Sequence, residues 1–263
     1  MEFARVNGVA LHYQTSGAHA LPALVFVNSL GTDFRIWDAV ADHFRDRYRI
    51  LTYDKRGHGL SQETPAPGAM TDHVDDLVAL LDHCGIDRAV VVGLSIGGMI
   101  AQGLAALHPE RVSALVLCDT APKIGTDESW NTRIEAVRRD GIGSLAEMIL
   151  NGWFTAAFRR PDNALFDGCR AMLTRQPVEG YVASCAAVRD CDLTEATRAL
   201  KLPVLCLVGA DDASTPPDLV RAMAEMITGA QFHIIENAGH IPCVEQPEQA
   251  ARLIARFLDA VAA

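Results

Sequence analysis

No two cysteines stand at C-x-x-C spacing, and seven is an odd count, so neither a disulfide framework nor a thiolate metal site is expected. Most cysteines sit in apolar runs (Cys118, Cys206) or helical patterns (Cys84, Cys185), as small buried hydrophobes do. No stretch reaches the ~18–20 apolar residues that cross a bilayer. The start, Met1 to Gly8, lacks the basic and apolar regions of a secretory signal. Positive charge is scarce. Lys and Arg number 23 against 33 Asp and Glu, a net −10, which argues against a nucleic-acid partner. Internal repeats, low-complexity segments, a G-x-G-x-x-G fingerprint and any His/Cys/Asp/Glu cluster at metal-ligand spacing are also missing, so no cofactor and no metal are expected. What remains is a cytoplasmic, enzyme-sized chain of 263 residues, 49% apolar and 21% charged.

The apolar pattern predicts a β-hairpin over residues 3–13, turning at Asn7-Gly8. Short, continuously apolar runs follow at 24–27, 50–53, 90–92, 114–117, 204–208 and 232–235, as parallel strands covered on both faces require. Between them, Thr71 is expected to cap a helix with a Val74, Leu77, Val78, Leu81 stripe and a stop at Gly85. A Gly- and Ala-rich helix is predicted over 96–108, and a last one from Pro247 that buries Leu253, Ile254, Phe257, Leu258 and Val261. The alternation predicts a mostly parallel, doubly wound α/β sheet. It lapses over 121–195, which is helical throughout. The expected organisation is therefore a core of 1–120 and 196–263 with a helical cap inserted at 121–195.

Gly93-Leu94-Ser95-Ile96-Gly97 follows a strand and opens a helix, the setting of a nucleophile elbow. The turn strains Ser95, and side chains two residues to either side would collide, hence glycine at both places. A serine nucleophile needs a base and the base an orienting acid. His240, after the last strand, fits the base. Asp212, three residues past Gly209, is the expected acid, with the adjacent Asp211 and the strand-end Asp119 as competitors. The oxyanion requires two N–H donors, one from Ile96 and one from the loop after the 24–27 strand, where Leu30 is expected. The polar loop Asp54 to Ser61 lacks a P-loop's Lys-Ser/Thr and reads as a brace, with Asp54 and Arg56 as a pair.

On these motifs the chain resembles the α/β-hydrolase superfamily over nearly its whole length and, within it, the 3-oxoadipate enol-lactonases. Asn28-Ser29-Leu30-Gly31-Thr32-Asp33 is similar to that family's oxyanion loop, where most other hydrolases keep His-Gly. The run Asp119 to Thr126, then Ser129 to Ile134, Trp153-Phe154-Thr155, Glu179-Gly180-Tyr181 and Cys185 to Asp190, resembles its cap segments. The resemblance implies an eight-stranded sheet and hydrolysis of a small anionic enol-lactone in bacterial aromatic catabolism, with no nucleic-acid or membrane partner. The substrate's carboxylate then needs a cation. The cap carries nine basic residues against eleven acidic ones, a milder imbalance than the core's. Arg133 is the expected clamp, with Trp130 and Trp153 as pocket walls. A broad carboxylesterase, a hydrolase of carbon–carbon bonds and a ligand receptor on the same fold share these motifs.

Overall fold

The computed structural model describes residues 1–65 and 68–262, the last without its side chain. Eight strands form one sheet: β1 (Glu2–Val6), β2 (Val9–Ser16), β3 (Ala23–Val27), β4 (Arg49–Tyr53), β5 (Ala89–Leu94), β6 (Val112–Cys118), β7 (Val204–Gly209) and β8 (Gln231–Ile235). Their order is β1-β2-β4-β3-β5-β6-β7-β8, with β2 antiparallel to both its neighbours, β1 and β4, and every other pairing parallel. Every residue of β3, β4, β5 and β7 is buried, which is why those strands read as unbroken apolar runs. β8 differs. Although apolar, it is the sheet edge, and His233 and Ile234 face outward while only Ile235 is buried.

The chain passes from β3 outward to β4 and returns to place β5 on the other side of β3, with Val27 opposite Gly93. Loops leaving β3 and β5 therefore diverge at one crevice, the topological switch point at which open α/β sheets hold ligands.

The helices are α1 (Asp38–Ala41), α2 (Met70–His83), α3 (Ile96–Leu107), α4 (Asp127–Asp140), α5 (Ala146–Trp153), α6 (Ala164–Thr174), α7 (Val178–Asp190), α8 (Thr194–Arg198), α9 (Pro217–Met226), α10 (Pro242–Glu245) and α11 (Pro247–Ala262). In α2 the predicted stripe is seated, with Val74, Leu77 and Leu81 buried and Val78 half-buried. Its start differs from the Thr71 expectation. Asp72 reaches back to accept the Ala69 N–H at 2.9 Å, so an acidic side chain inside the first turn does the capping. Along α11, Ile254, Phe257 and Leu258 are buried, each stabilising the fold by about 1.5–3 kcal/mol.

Helices α4 to α7 all lie between β6 and β7 and cover the carboxyl end of the sheet. One seam joins this helical insertion to the core backbone to backbone. A Cβ on Gly57, in the loop after β4, would stand 2.4 Å from the Gly180 Cα of α7, and the reverse holds equally. Beside it, His73 of α2 meets the Ser184 hydroxyl of α7 at 3.4 Å.

Candidate active site

Ser95 sits between β5 and α3 at φ +59°, ψ −119°, a conformation that L-residues rarely adopt. The strain is held by its amide, which donates to the Cys118 carbonyl at 3.0 Å, and by its carbonyl, which accepts from the Thr120 hydroxyl at 2.7 Å. The flanking glycines are sterically required: a Cβ on Gly93 would come within 2.3 Å of the Gly97 carbonyl, and one on Gly97 within 2.3 Å of the Val27 carbonyl. The Ser95 hydroxyl makes no hydrogen bond among the described residues and opens on a cavity of about 320 Å³.

His240 lines the same cavity. Its Nδ1 faces Asp212 Oδ2 at 2.8 Å, and its amide donates to the Trp153 carbonyl at 2.8 Å. Asp212 also accepts from the amides of Ser214 and Thr215 at 2.7 and 3.0 Å and from the Thr215 hydroxyl at 2.6 Å. Burial alone would raise its pKa, but the imidazole beside it and the Thr215 donors more than offset that, and it lies below the ordinary carboxylate value. The competitors separate cleanly. Asp211 is exposed, and its amide rather than its carboxylate is engaged. Asp119 is fully buried, and burial together with the Asp212 charge pushes its carboxyl well above the ordinary value. The two inner carboxyls are thus pushed in opposite directions, Asp212 down and Asp119 up.

Ligand atoms of Asp119, Asp212 and His240 lie within 4.8 Å of one another. Of these, His240 Nδ1 and Asp212 Oδ2 face each other, whereas Asp119 Oδ1 accepts from the Gly209 amide at 2.8 Å and its Oδ2 has no partner among the described residues.

The second half of the crevice is the loop after β3. The amides of Leu30 and Ile96 donate to no acceptor among the described residues. Around them the loop is tied at several points. Asn28 Nδ2 donates to the Thr32 carbonyl, and the Gly31 amide to His58 Nε2 at 3.0 Å. Burial and the nearby Lys55 charge hold His58 well below its ordinary pKa, so the neutral ring accepts this bond. Lys55 Nζ reaches the Ser29 carbonyl at 2.5 Å.

The expected Asp54–Arg56 pair does not form. Arg56 binds Asp76 of α2 through two bonds of 2.6 Å, and Asp54 accepts from the amides of Phe34 and Leu60 at 2.9 Å and faces His12 Nδ1 at 2.8 Å. Both still brace the loop, each through a different neighbour.

From the insertion, Trp130, Arg133 and Trp153 complete the cavity wall. Trp130 donates its indole N–H to the Ile124 carbonyl at 2.7 Å and presents its face to the Arg133 guanidinium, 4.9 Å from the ring centre. No carboxylate pairs with Arg133 among the described residues. Sequence reasoning assigned no role to Glu245, part of the Gly239-His240-x-x-x-x-Glu245-Gln246-Pro247 pattern, which accepts from the Gly239 amide at 2.6 Å and from the Thr155 hydroxyl at 2.7 Å, joining the His240 loop to the insertion. It also passed over Thr215, whose only signal was its place three residues after Asp212.

A larger cleft of about 910 Å³ lies away from this site, beside His12, Asp33 and Arg35. Of its charged groups, Arg35 pairs with Asp33 at 2.6 Å and His12 with Asp54, while Glu2 and Arg175 make no ion pair among the described residues.

A family profile described as the alpha/beta hydrolase fold matches residues 22–247. The 3-oxoadipate enol-lactonase 2 of Acinetobacter baylyi is 35% identical over 91% of this chain and 90% of its own length. Among solved structures, the enol-lactonase from Burkholderia xenovorans superposes with a TM-score of 0.95 at 33% identity, covering 98% of this chain and all of that one. A thermophilic esterase from Thermogutta terrifontis, solved with malate bound, superposes at 0.93 and 32% identity, covering 99% of both chains.

Proposed function

This chain belongs to the alpha/beta hydrolase family, with its kinship among the 3-oxoadipate enol-lactonases, and on that premise we propose that it hydrolyses the lactone ester of 3-oxoadipate enol-lactone to 3-oxoadipate. The observation that carries the reading is a single cavity holding an unbonded serine hydroxyl at a strained turn, a His–Asp pair and an arginine without a carboxylate partner. A small ester bearing a carboxylate arm fits that combination.

In the proposed mechanism His240 Nε2 takes the Ser95 proton as Oγ attacks the lactone carbonyl, while Asp212 holds Nδ1 and stabilises the imidazolium. The Leu30 and Ile96 amides take the oxyanion, each such donor contributing about 3–4 kcal/mol in comparable sites. Collapse breaks the ring C–O bond, and the enol oxygen leaves with the proton from His240. An enol is a better leaving group than an alkoxide. The leaving group stays tethered to the acyl-enzyme because the ester was cyclic. Water, deprotonated by His240, then attacks the acyl carbon, Ser95 recovers its proton, and the enol tautomerises to the ketone. Arg133, backed by Trp130, holds the substrate carboxylate as a charge-assisted pair, and Trp153 walls the ring. The setting is the cytoplasm of a bacterium degrading aromatic acids through protocatechuate or catechol.

A simple-ester hydrolase is the second reading, favoured by the likeness to the Thermogutta terrifontis esterase. The test follows loss of lactone absorbance in the ultraviolet against p-nitrophenyl acetate cleavage, for wild type and Ser95→Ala. The lactone is expected to turn over far faster, with Ser95→Ala silent on both. Acetate cleavage with an inert lactone would keep the serine chemistry and remove the lactonase assignment.

A further inference from the structure

Lys55 is fully buried, yet nothing in the proposed chemistry uses it. A lysine in such a place is costly, because its amine leaves water and gains few partners. Methionine or leucine would fill similar space without that cost. Burial drives the Lys55 pKa down to about 7, with Asp54 and Asp33 opposing the fall. The only acceptor its amine finds among the described residues is the Ser29 carbonyl, at 2.5 Å.

That carbonyl belongs to the same peptide unit as the Leu30 N–H. A trans peptide is planar, and its C=O and N–H point in opposite directions. Whatever fixes the Ser29 oxygen on the sheet side therefore aims the Leu30 hydrogen to the other side, where Ser29, Leu30 and Ser95 line the cavity. Two further donors reach the same oxygen, the Thr32 hydroxyl at 2.9 Å and the Thr32 amide at 3.3 Å. Both belong to the loop and move with it. Lys55 instead leaves the end of β4, whose Tyr53 is paired with Val27 of β3. It is the donor that ties the peptide to the sheet.

We infer that Lys55 is a positioning residue for the oxyanion hole, orienting and polarising the Ser29–Leu30 peptide so that the Leu30 N–H meets the developing oxyanion. The inference rests on the reading of Leu30 as an oxyanion donor. Ammonium and neutral amine both carry a proton for this bond, so the orienting role persists on either side of the amine's titration. Polarisation of the carbonyl strengthens the N–H at the far end of the peptide, since donors in series reinforce one another.

The test uses p-nitrophenyl acetate, whose cleavage needs the serine and the oxyanion hole but not the lactone, so failure of the lactonase reading leaves it intact. Lys55→Met removes the donor at nearly constant volume, and Lys55→Gln keeps a shorter one. Lys55→Met is expected to lower kcat roughly 10- to 100-fold, below the full loss seen when a donor is deleted outright, with KM little changed. Inhibition by an aryl trifluoromethyl ketone, whose serine adduct carries an oxyanion, should weaken by a similar factor, with Lys55→Gln intermediate in both. A merely structural lysine would instead shift the melting temperature or the titrated fraction of active sites and leave kcat per site alone. Lys55→Met within threefold of wild type in kcat and in ketone affinity overturns the inference. Should that variant not fold, a Lys55→Gln enzyme with wild-type kcat and ketone affinity overturns it equally. Ester cleavage surviving Ser95→Ala would remove the serine reading and this inference together.

Discussion

The sheet side of the cavity and the helical side are held in unlike ways. On the sheet side Ser95, Asp212 and His240 are all buried, and each is held by at least two hydrogen bonds. On the helical side Arg133 is half-buried and rests against one aromatic face. Groups whose alignment sets a reaction rate need the first kind of support. A group that has only to attract a carboxylate can do so from a looser seat, because a charge acts over distance while a proton transfer does not.

The contrast can be broken at three points. The largest effect is expected at Asp212→Asn, which keeps the shape of the site but presents the wrong partner to His240. Loss of kcat by about 10³- to 10⁴-fold on any ester is expected, whereas Asp119→Asn, at a carboxyl that faces no nitrogen of His240, should stay within a few fold of wild type. Equal losses in the two variants would reverse the assignment of the acid. Next comes Arg133→Ala. If the helical side only recruits the substrate, KM for the lactone rises roughly 10- to 100-fold, the ~1.5–3 kcal/mol of a hydrogen bond to a charged group, while kinetics on the uncharged acetate hold. Parallel losses on both substrates would show that Arg133 shapes the site instead.

The smallest effect is at the seam between the two sides. His73 is buried with a pKa held near 3, chiefly by burial and secondarily by the Lys55 and Arg56 charges. The unfolded chain binds a proton near pH 6.5 that the native ring refuses, so stability is intact above about 6.5 and falls as the pH drops toward 3. Thermal melting at pH 7 and pH 5 should therefore show a smaller acid loss in His73→Gln than in wild type. An unchanged difference would place the acid sensitivity elsewhere.

Local rules carried most of the architecture. Parallel strands buried on both faces leave a plain apolar record, and the Ser95 turn leaves glycines at fixed offsets because backbone atoms stand where side chains would be. What sequence could not supply was pairing across distance. Nothing local says that Arg56 binds Asp76 rather than Asp54, that β8 is an edge, or that Lys55 reaches back to Ser29, since those partners are set by which loops the topology brings together. The preference for Asp212 over Asp211 and Asp119 rests on spacing alone. Their surroundings separate them: Asp211 is exposed, Asp119 is pushed well above the ordinary carboxylate value by burial, and Asp212 lies below it beside an imidazole.

The Gly57–Gly180 contact has a bearing on how such a chain can diverge. At most packed interfaces a larger side chain on one element can be matched by a smaller one opposite, and lineages drift through compensated pairs. Here neither residue has a side chain to surrender, and each would drive a Cβ to within 2.4 Å of the other's Cα. No single exchange on the facing element relieves a substitution at either position. The insertion can be re-sculpted around the pocket, but where α7 meets the loop after β4 it has one docking distance.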